Sequence, residues 1–246
     1  MDVAIVALVF GAGVVAGTFN GIVGGASLLT FPLLVATGTP SVMAAASNTV
    51  GLSSGNAFAL LPHRVTMRDA FREWRIGAAA AGAGAFLGGL LLIVLPERVF
   101  EFVVPFFVLY ASLSMLRQAP PLQPDVEGHP RTNRRLFGAG IYSGYFGPGI
   151  GVIIMAVLAK DGRLDMRGVT VIKNYATMAA NAAASALFIA TGHVAWSRAL
   201  PLMAGAAVGG YLGGHAAKWL SPPILRWLVV ATGLGSSVYL AARLAG

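Results

Sequence analysis

Residues 17–27 read GTFNGIVGGAS and continue into LLTFP at residues 28–32. The fold prediction starts from this glycine-rich segment. A second copy lies at residues 140–151 and reads GIYSGYFGPGIG. A shift of 123 residues places three glycines of one copy on three of the other: Gly17 on Gly140, Gly21 on Gly144 and Gly24 on Gly147. Each copy interrupts an apolar stretch with glycines, which break a continuous helix and let other backbone come close. The chain is therefore predicted to hold two broken helices at matching places in two halves.

The composition is that of a membrane protein. Of 246 residues, 57% are hydrophobic and only 11% are charged, and the mean hydropathy is +0.75. Soluble globular domains carry about 25% charged residues, so we expect a multi-pass protein embedded in the lipid bilayer. The net charge of +8 fits basic loops that set orientation and touch anionic lipid. Because no basic stripe is interleaved with aromatic residues, we expect no nucleic-acid partner.

Apolar segments organise the rest of the chain. The first break separates two helical arms, at about 3–20 and 27–37, and Ser27 is the expected N-cap of the second arm. The further predicted segments are 41–61, 76–95, 98–116, the broken 136–159, 167–190, 199–219 and 223–244. The second half repeats the plan of the first. We predict a first membrane repeat at 1–118, a proline-rich linker at 119–129 and a second membrane repeat at 130–246.

The distribution of Lys and Arg favours a particular topology. If all eight apolar segments cross the membrane, the two faces carry similar numbers of basic residues. If each broken segment instead enters and leaves on one side, all Lys and Arg residues except Arg98, Arg198 and Arg243 share one face. Basic residues concentrate on the cytoplasmic side. The sequence thus predicts an all-α polytopic membrane protein with two inverted repeats, each made of a broken, re-entrant helix and three membrane-spanning helices.

Each break would leave the N-terminus of a half-helix inside the protein, where free N–H groups and the helix dipole favour an anion. The expected donors are the amides around Gly24, Gly25, Ala26, Gly147, Gly149 and Ile150, with the Ser27 hydroxyl. The alternative is that the glycines only let helices pack, and we expect packing alone for Gly84, Gly88, Gly209 and Gly213.

Polar side chains inside the second and sixth segments are further candidates. Asn48, Thr49, Asn56 and Asn181 either line the same cavity or only bridge helices. Lys173 lies about six residues into a helix, so it must either reach the membrane interface or meet an anion.

The sequence lacks the residue patterns that are typical of an enzyme or a metalloprotein. It has no cysteine, its histidines lack metal-ligand spacing on one face, and no phosphate-binding Walker loop is present. The carboxylates fall in or near loops, so no acid at mid-membrane would carry protons or hold sodium. We expect no catalytic residue, no metal and no cofactor.

The two motifs resemble a known family. The stretch GIVGGASLLTFPL at residues 21–33 and the stretch SGYFGPGIG at residues 143–151 are similar to the signatures of the sulfite exporter TauE/SafE family of membrane transport proteins. Ala26 stands where many members have a third glycine. The resemblance covers nearly the whole chain. It implies movement of sulfur-containing anions, such as sulfite, sulfonates and sulfoacetate, across the bacterial inner membrane.

Residues and resemblance together predict a secondary transporter for small anions, working by alternating access around a midplane site built by two half-helix N-termini. The predicted substrate-binding residues are Asn20, Gly24, Gly25, Ser27, Asn48, Thr49, Ser143, Gly147, Gly149, Lys173, Asn174 and Asn181. Two alternatives stay open. A passive anion channel would use the same donors, and a non-transporting membrane scaffold would use the glycines only for packing.

Overall fold

A computed structural model describes residues 3–22, 25–63, 68–116, 129–160 and 164–216, together with residues 231, 234, 235 and 238. This part of the chain is helical and contains no strand. Its helices are α1 (Val3–Ile22), α2 (Ser27–Ala36), α3 (Ser41–Leu60), α4 (Arg68–Glu73), α5 (Arg75–Val94), α6 (Glu97–Leu116), α7 (His129–Tyr145), α8 (Ile150–Ala159), α9 (Met166–Ala190) and α10 (Trp196–Ala216). A short 3-10 turn follows α3. Residues 119–128 of the predicted linker and most of the segment predicted at 223–244 lie outside the described residues.

Both predicted helix interruptions are present, between α1 and α2 and between α7 and α8. Gly25, Gly147 and Gly149 have φ values of 89°, 84° and 84°. This left-handed conformation suits glycine because it has no Cβ atom to clash with the neighbouring carbonyl. Gly24 lies outside the described residues. Each interruption is short and joins a long helix to a helix of ten residues, which is about 15 Å long.

Ser27 is not the N-cap of α2, contrary to the prediction. It is the first helical residue, because Ala26 before it already has helical backbone angles of φ −63° and ψ −18°. The cap comes instead from the last turn of α1, where Oδ1 of Asn20 accepts a hydrogen bond of 3.2 Å from the N–H of Ala26.

Glycines spaced four residues apart bring helices from opposite halves into backbone contact. They line the contact of α1 with α10 and the contact of α5 with α7, and a Cβ atom on any of them would overlap main-chain atoms of the facing helix. They are Gly13, Gly17, Gly205, Gly209 and Gly213 in the first contact, and Gly84, Gly88, Gly140 and Gly144 in the second. The predicted packing role of Gly84, Gly88, Gly209 and Gly213 is confirmed.

These contacts also give the relative directions of the helices. Leu202 of α10 lies against Gly13 of α1 and Gly51 of α3, and one turn further along the same three helices meet again at Ala206. The helices α1, α3 and α10 therefore run in the same direction.

The helices α5, α7 and α9 form a corresponding parallel set. Along α5, Gly84 and then Gly88 lie against Phe137 and then Ile141 of α7. Another face of α5 packs along α9. The successive contacts of the α5 glycines with α9 show that these two helices also run in the same direction.

The two sets run in opposite directions. The N–H of Ala195, just after α9, donates a 2.8 Å hydrogen bond to Oγ of Ser47 near the start of α3. At the other end, Lys173 near the start of α9 donates to the carbonyl of Asn20 near the end of α1. The helix α9 is thus antiparallel to both α1 and α3.

One end of the bundle is basic. It holds the end of α3, the starts of α5, α7 and α9, and the residues Arg68, Arg72, Arg75, Arg131, Arg134, Arg135 and Lys160. The opposite end holds the starts of α3, α6 and α10, with Arg98 and Arg198. The start of α6 is fixed there because Glu101 accepts a 3.0 Å hydrogen bond from the hydroxyl of Ser41. We name these the basic end and the opposite end.

The outer surface of the bundle is apolar. Phe102, Phe106 and Tyr110 of α6 are 64%, 60% and 59% exposed, which is unusual for large apolar side chains on a surface that faces water. By length and hydropathy alone, α1 and α5 are the two described helices that could each span a membrane.

Candidate functional site

A small cavity lies where the two interrupted helices meet the middle of α3 and α9. It is lined by Asn20, Ser27, Asn48, Thr49, Leu52, Asn56, Gly147, Ile150, Gly151, Lys173, Thr177 and Asn181. Its volume is about 20 Å³ for the centre of a water-sized sphere, which is room for about one water molecule. The space in this region is therefore small and is not a wide pore.

The two long helices contribute equivalent positions to the cavity wall. A shift of 125 residues carries α3 onto α9, and it relates the lining residues in pairs: Asn48 with Lys173, Leu52 with Thr177, and Asn56 with Asn181. In each helix these positions are spaced four apart and so lie on one face. The same face of the repeated helix therefore lines the cavity from both halves.

The first turns of α2 and α8 both reach the cavity, through Ser27 on one side and through Ile150 and Gly151 on the other. The first N–H groups of a helix have no acceptor within it, and the positive end of the dipole lies there. Among the described residues, no acceptor pairs with the N–H of Ser27 or of Gly151. Two helix starts thus present main-chain donors to one small space.

Three of the amides predicted as donors are already used within the protein. The N–H of Ala26 donates to Oδ1 of Asn20, that of Gly147 donates to the carbonyl of Tyr142 at 3.2 Å, and that of Ile150 donates to the carbonyl of Gly147 at 3.2 Å. These amides are engaged because the chain turns tightly at each interruption. In this conformation they are not free to bind a ligand, and their role as ligand donors stays a prediction.

Lys173 contributes the one ionisable side chain among the lining residues of the cavity, which include no Asp or Glu. Its side chain is 1% exposed, and Nζ donates a 2.8 Å hydrogen bond to the carbonyl of Asn20. The adjacent Asn174 donates from Nδ2 to the carbonyl of Gly21 at 3.1 Å. Both carbonyls belong to the last turn of α1, where carbonyls lack partners within the helix. Of the two expectations for Lys173, the structure places it beside the cavity and not at the interface.

Several polar groups around the cavity have unused hydrogen-bonding capacity. The hydroxyl of Thr177 is buried and has no hydrogen-bond partner in the part of the chain that the structure describes, and the same holds for the hydroxyl of Ser143 and for Oδ1 of Asn174. Asn48 accepts a 2.5 Å hydrogen bond from Thr30 through Oδ1, and its Nδ2 finds no acceptor among the described residues. A buried polar group without a partner costs about 1–3 kcal/mol. A ligand with several acceptor atoms would relieve that cost for the two hydroxyls and pair with Nδ2 of Asn48, whereas Oδ1 of Asn174 needs a donor.

The structure brings most of the predicted site residues together. Those that line the cavity are Asn20, Ser27, Asn48, Thr49, Gly147, Lys173 and Asn181. Gly25, Ser143, Gly149 and Asn174 are described but do not line it, and Gly24 lies outside the described residues.

Thr177 was missing from the predicted set, although the sequence carried a signal for it. It lies 125 residues after Leu52 and one helical turn before Asn181, so the repeat and the helical period together indicate it.

Comparisons with known proteins agree with the resemblance stated above. A family model described as "Sulfite exporter TauE/SafE" matches residues 9–240. A protein of Haemophilus influenzae named "Probable membrane transporter protein" is 29% identical over 94% of this chain and 92% of its own length. The "Probable membrane transporter protein ORF9" of Sinorhizobium sp is 27% identical over 97% of this chain and 93% of its own. No solved structure matches the chain.

Proposed function

Because the chain belongs to the sulfite exporter TauE/SafE family and is a membrane transporter, we propose that its cargo is a small sulfur-containing anion of the sulfite or organosulfonate type. It acts as a secondary transporter in the cell inner (plasma) membrane. Transport proceeds by alternating access around the cavity between α2, α3, α8 and α9.

The chemistry of the cavity wall is the observation that carries the proposal. Donors dominate it: the helix starts at Ser27 and Gly151, the hydroxyl of Thr177 and the amine of Lys173. No carboxylate competes among the lining residues. Tetrahedral sulfur oxyanions offer three or more acceptor oxygens, which suits converging donors at helix N-termini.

The helix directions support two inverted repeats at 1–118 and 130–246. In the first, α1 and α3 run towards the basic end; in the second, α7 and α9 run away from it. Because α1 and α3 are parallel, the chain between them must return to its starting side, and α2 with its flanking residues makes that return. The same holds for α8. Each broken segment therefore enters and leaves on one side, and the basic end is cytoplasmic.

The small size of the cavity and the rings packed beside it favour a carrier over a channel. Towards the opposite end, Phe146 packs against Phe31, Phe100, Phe107 and Tyr142 with ring centroids 5.2–6.4 Å away. This cluster of rings closes one route to the cavity, so the rings must move before an anion passes. A passive channel would instead hold a continuous path.

A thermal-shift screen of the purified protein tests the proposal. We expect methanesulfonate or hydrogen sulfite to raise the melting temperature, since a ligand at 100 times its dissociation constant stabilises the folded form by about 2.7 kcal/mol. Acetate and sulfate serve as comparison anions. A flat response to every anion from a well-folded sample would contradict the proposal.

Two matched variants locate the binding site. Gly147→Leu fills the cavity, whereas Gly38→Leu introduces a side chain at the same left-handed backbone angle, φ 85°, where no other atom lies within 4 Å. Both variants carry similar backbone strain. We expect the anion response to vanish only in Gly147→Leu, and equal responses in both would place binding elsewhere.

A further inference from the structure

We propose that Lys173 is the coupling group of the transporter, so that one monovalent anion crosses together with one proton carried on the Lys173 amine. This inference rests on the proposed function. It names the charge of the cargo and the ion that moves with it.

The position of Lys173 is the first argument. The negative end of a helix dipole attracts cations, and transporters with broken helices place Na⁺ at the C-terminal ends of half-helices. Here the end of α1 meets an amine of the protein itself, because Nζ of Lys173 donates to the carbonyl of Asn20 at 2.8 Å. When this amine is protonated it takes the place that a sodium ion would otherwise occupy.

The isolation of Lys173 is the second argument. Three of the helices that pack against α9 are α1, α3 and α8, and their sequences contain no Asp, Glu, His, Lys or Arg. Its only hydrogen bond among the described residues goes to a neutral carbonyl.

The remaining neighbours of α9 are α4, α5 and α7. The charged residues of α4 and α5 are Arg68, Asp69, Arg72, Glu73 and Arg75, all at the basic end. The titratable residues of α7 are His129, Arg131, Arg134, Arg135, Tyr142 and Tyr145. Tyr142 donates its hydroxyl proton to the carbonyl of Pro148 at 2.7 Å. On α9 itself, Arg167 belongs to the first turn and Tyr175 stacks on Phe71. Among those groups whose side chains the structure describes, none forms an ion pair with Lys173.

Charge balance then fixes the cargo. A buried charge without a partner is costly, while an ion pair with complete hydrogen bonding is tolerated. An ammonium at Lys173 beside one monovalent anion leaves the loaded cavity neutral, whereas a dianion would leave it negative. As the anion enters, a proton passes from the water on that side to Nζ. On the other side the anion leaves, and the proton passes from Nζ to the water there.

The other half of the protein supplies the reference variant. Asn48 occupies the position equivalent to Lys173 and carries no charge. The substitution Lys173→Asn therefore places on α9 the side chain that α3 already carries at the cavity. Lys160, which is exposed at the basic end, provides a control for loss of a lysine elsewhere through Lys160→Asn.

The test uses the full-length protein in liposomes that enclose a pH-sensitive dye, with the membrane potential clamped by potassium and valinomycin. The probe is methanesulfonate, because this strong acid anion does not itself carry protons at neutral pH. Inward methanesulfonate flow should acidify the lumen in the wild type and in Lys160→Asn, without any sodium. In Lys173→Asn the flow should leave the luminal pH unchanged.

A binding measurement keeps the test decisive if Lys173→Asn carries no flux. Uptake of one proton with the anion predicts that the dissociation constant of methanesulfonate rises about tenfold per pH unit on the alkaline side. Lys173→Asn and the permanently charged Lys173→Arg should bind with affinity independent of pH. Wild-type binding or flux without any proton linkage would overturn the coupling role and leave the anion site intact. Absence of both binding and flux for every anion would instead overturn the proposed function.

Discussion

Single residues at the cavity combine burial with unused hydrogen-bonding capacity. The hydroxyl of Thr177 is the plainest case, since its residue is 4% exposed and no acceptor or donor of the described residues meets it. Such groups are uncommon in folded proteins because they lose water without gaining a partner. A polar group that costs stability yet lines a cavity is better explained by a ligand than by packing.

The substitution Thr177→Val separates these explanations. Valine keeps the shape of threonine, so we expect the unliganded protein to melt at the same temperature or higher, by up to about 1 kcal/mol of added stability. The stabilisation by methanesulfonate should shrink, with affinity lower by about tenfold, which is about 1.4 kcal/mol. Both quantities come from one thermal-shift titration.

Ser185→Ala is the matched control for that substitution. Ser185 lies two turns further along α9, and its buried hydroxyl also lacks a partner, but it does not line the cavity. Its removal should leave the anion response unchanged. An equal loss of response in both variants would contradict a direct contact between Thr177 and the ligand.

Some features of the helices and of the breaks between them could be predicted from the sequence, and others could not. The interruptions at Ile22 and Tyr145 could be predicted because glycine clusters cannot continue a helix in lipid without shelter. The cap of α2 could not be predicted, since Asn20 can replace Ser27 as the capping residue only once the turn has formed. The contact of Lys173 with Asn20 was also hidden, because it joins residues 153 positions apart and depends on the antiparallel packing of α1 and α9.

The glycine contacts between helices should be intolerant of even one added carbon. At Gly209 a Cβ atom would overlap main-chain atoms of Val14 and Thr18 on α1, and backbone cannot yield as a side chain does. We expect Gly209→Ala to lower stability by about 1–3 kcal/mol. The measurement is the melting temperature of the purified protein in a fixed detergent.

Gly11→Ala is the control, because it makes the same substitution at a glycine that no facing helix approaches. Gly11 lies in α1 with no other atom within 4 Å of the added carbon, so alanine should be neutral or stabilising by up to about 1 kcal/mol. If Gly209→Ala were as harmless as Gly11→Ala, close approach of α1 to α10 would not hold the bundle together.

The whole molecule is built from interleaved halves. The first helix of each half packs mainly against a helix of the other half, α1 against α10 and α7 against α5. These two contacts are equivalent under the repeat, as the proposed inverted repeats require. Lys173 departs from that equivalence, because its counterpart is Asn48.

The proposed topology predicts which residues face each side of the membrane. The chain contains no cysteine, so single cysteines can be placed without background. A membrane-impermeant maleimide should label Ser197→Cys from the outside of intact cells and Lys160→Cys only in inverted vesicles. Both positions are exposed. Labelling of both from the same side would contradict inverted repeats with re-entrant segments.

The pairing of α1 with α10 also constrains how the protein is made. The glycine face of α1 emerges from the ribosome first, but its partner is complete only at Ala216. At 5–20 residues per second, α1 waits roughly 10–40 s in the membrane before its partner is inserted. During that interval its small residues face lipid or the insertion machinery in place of α10.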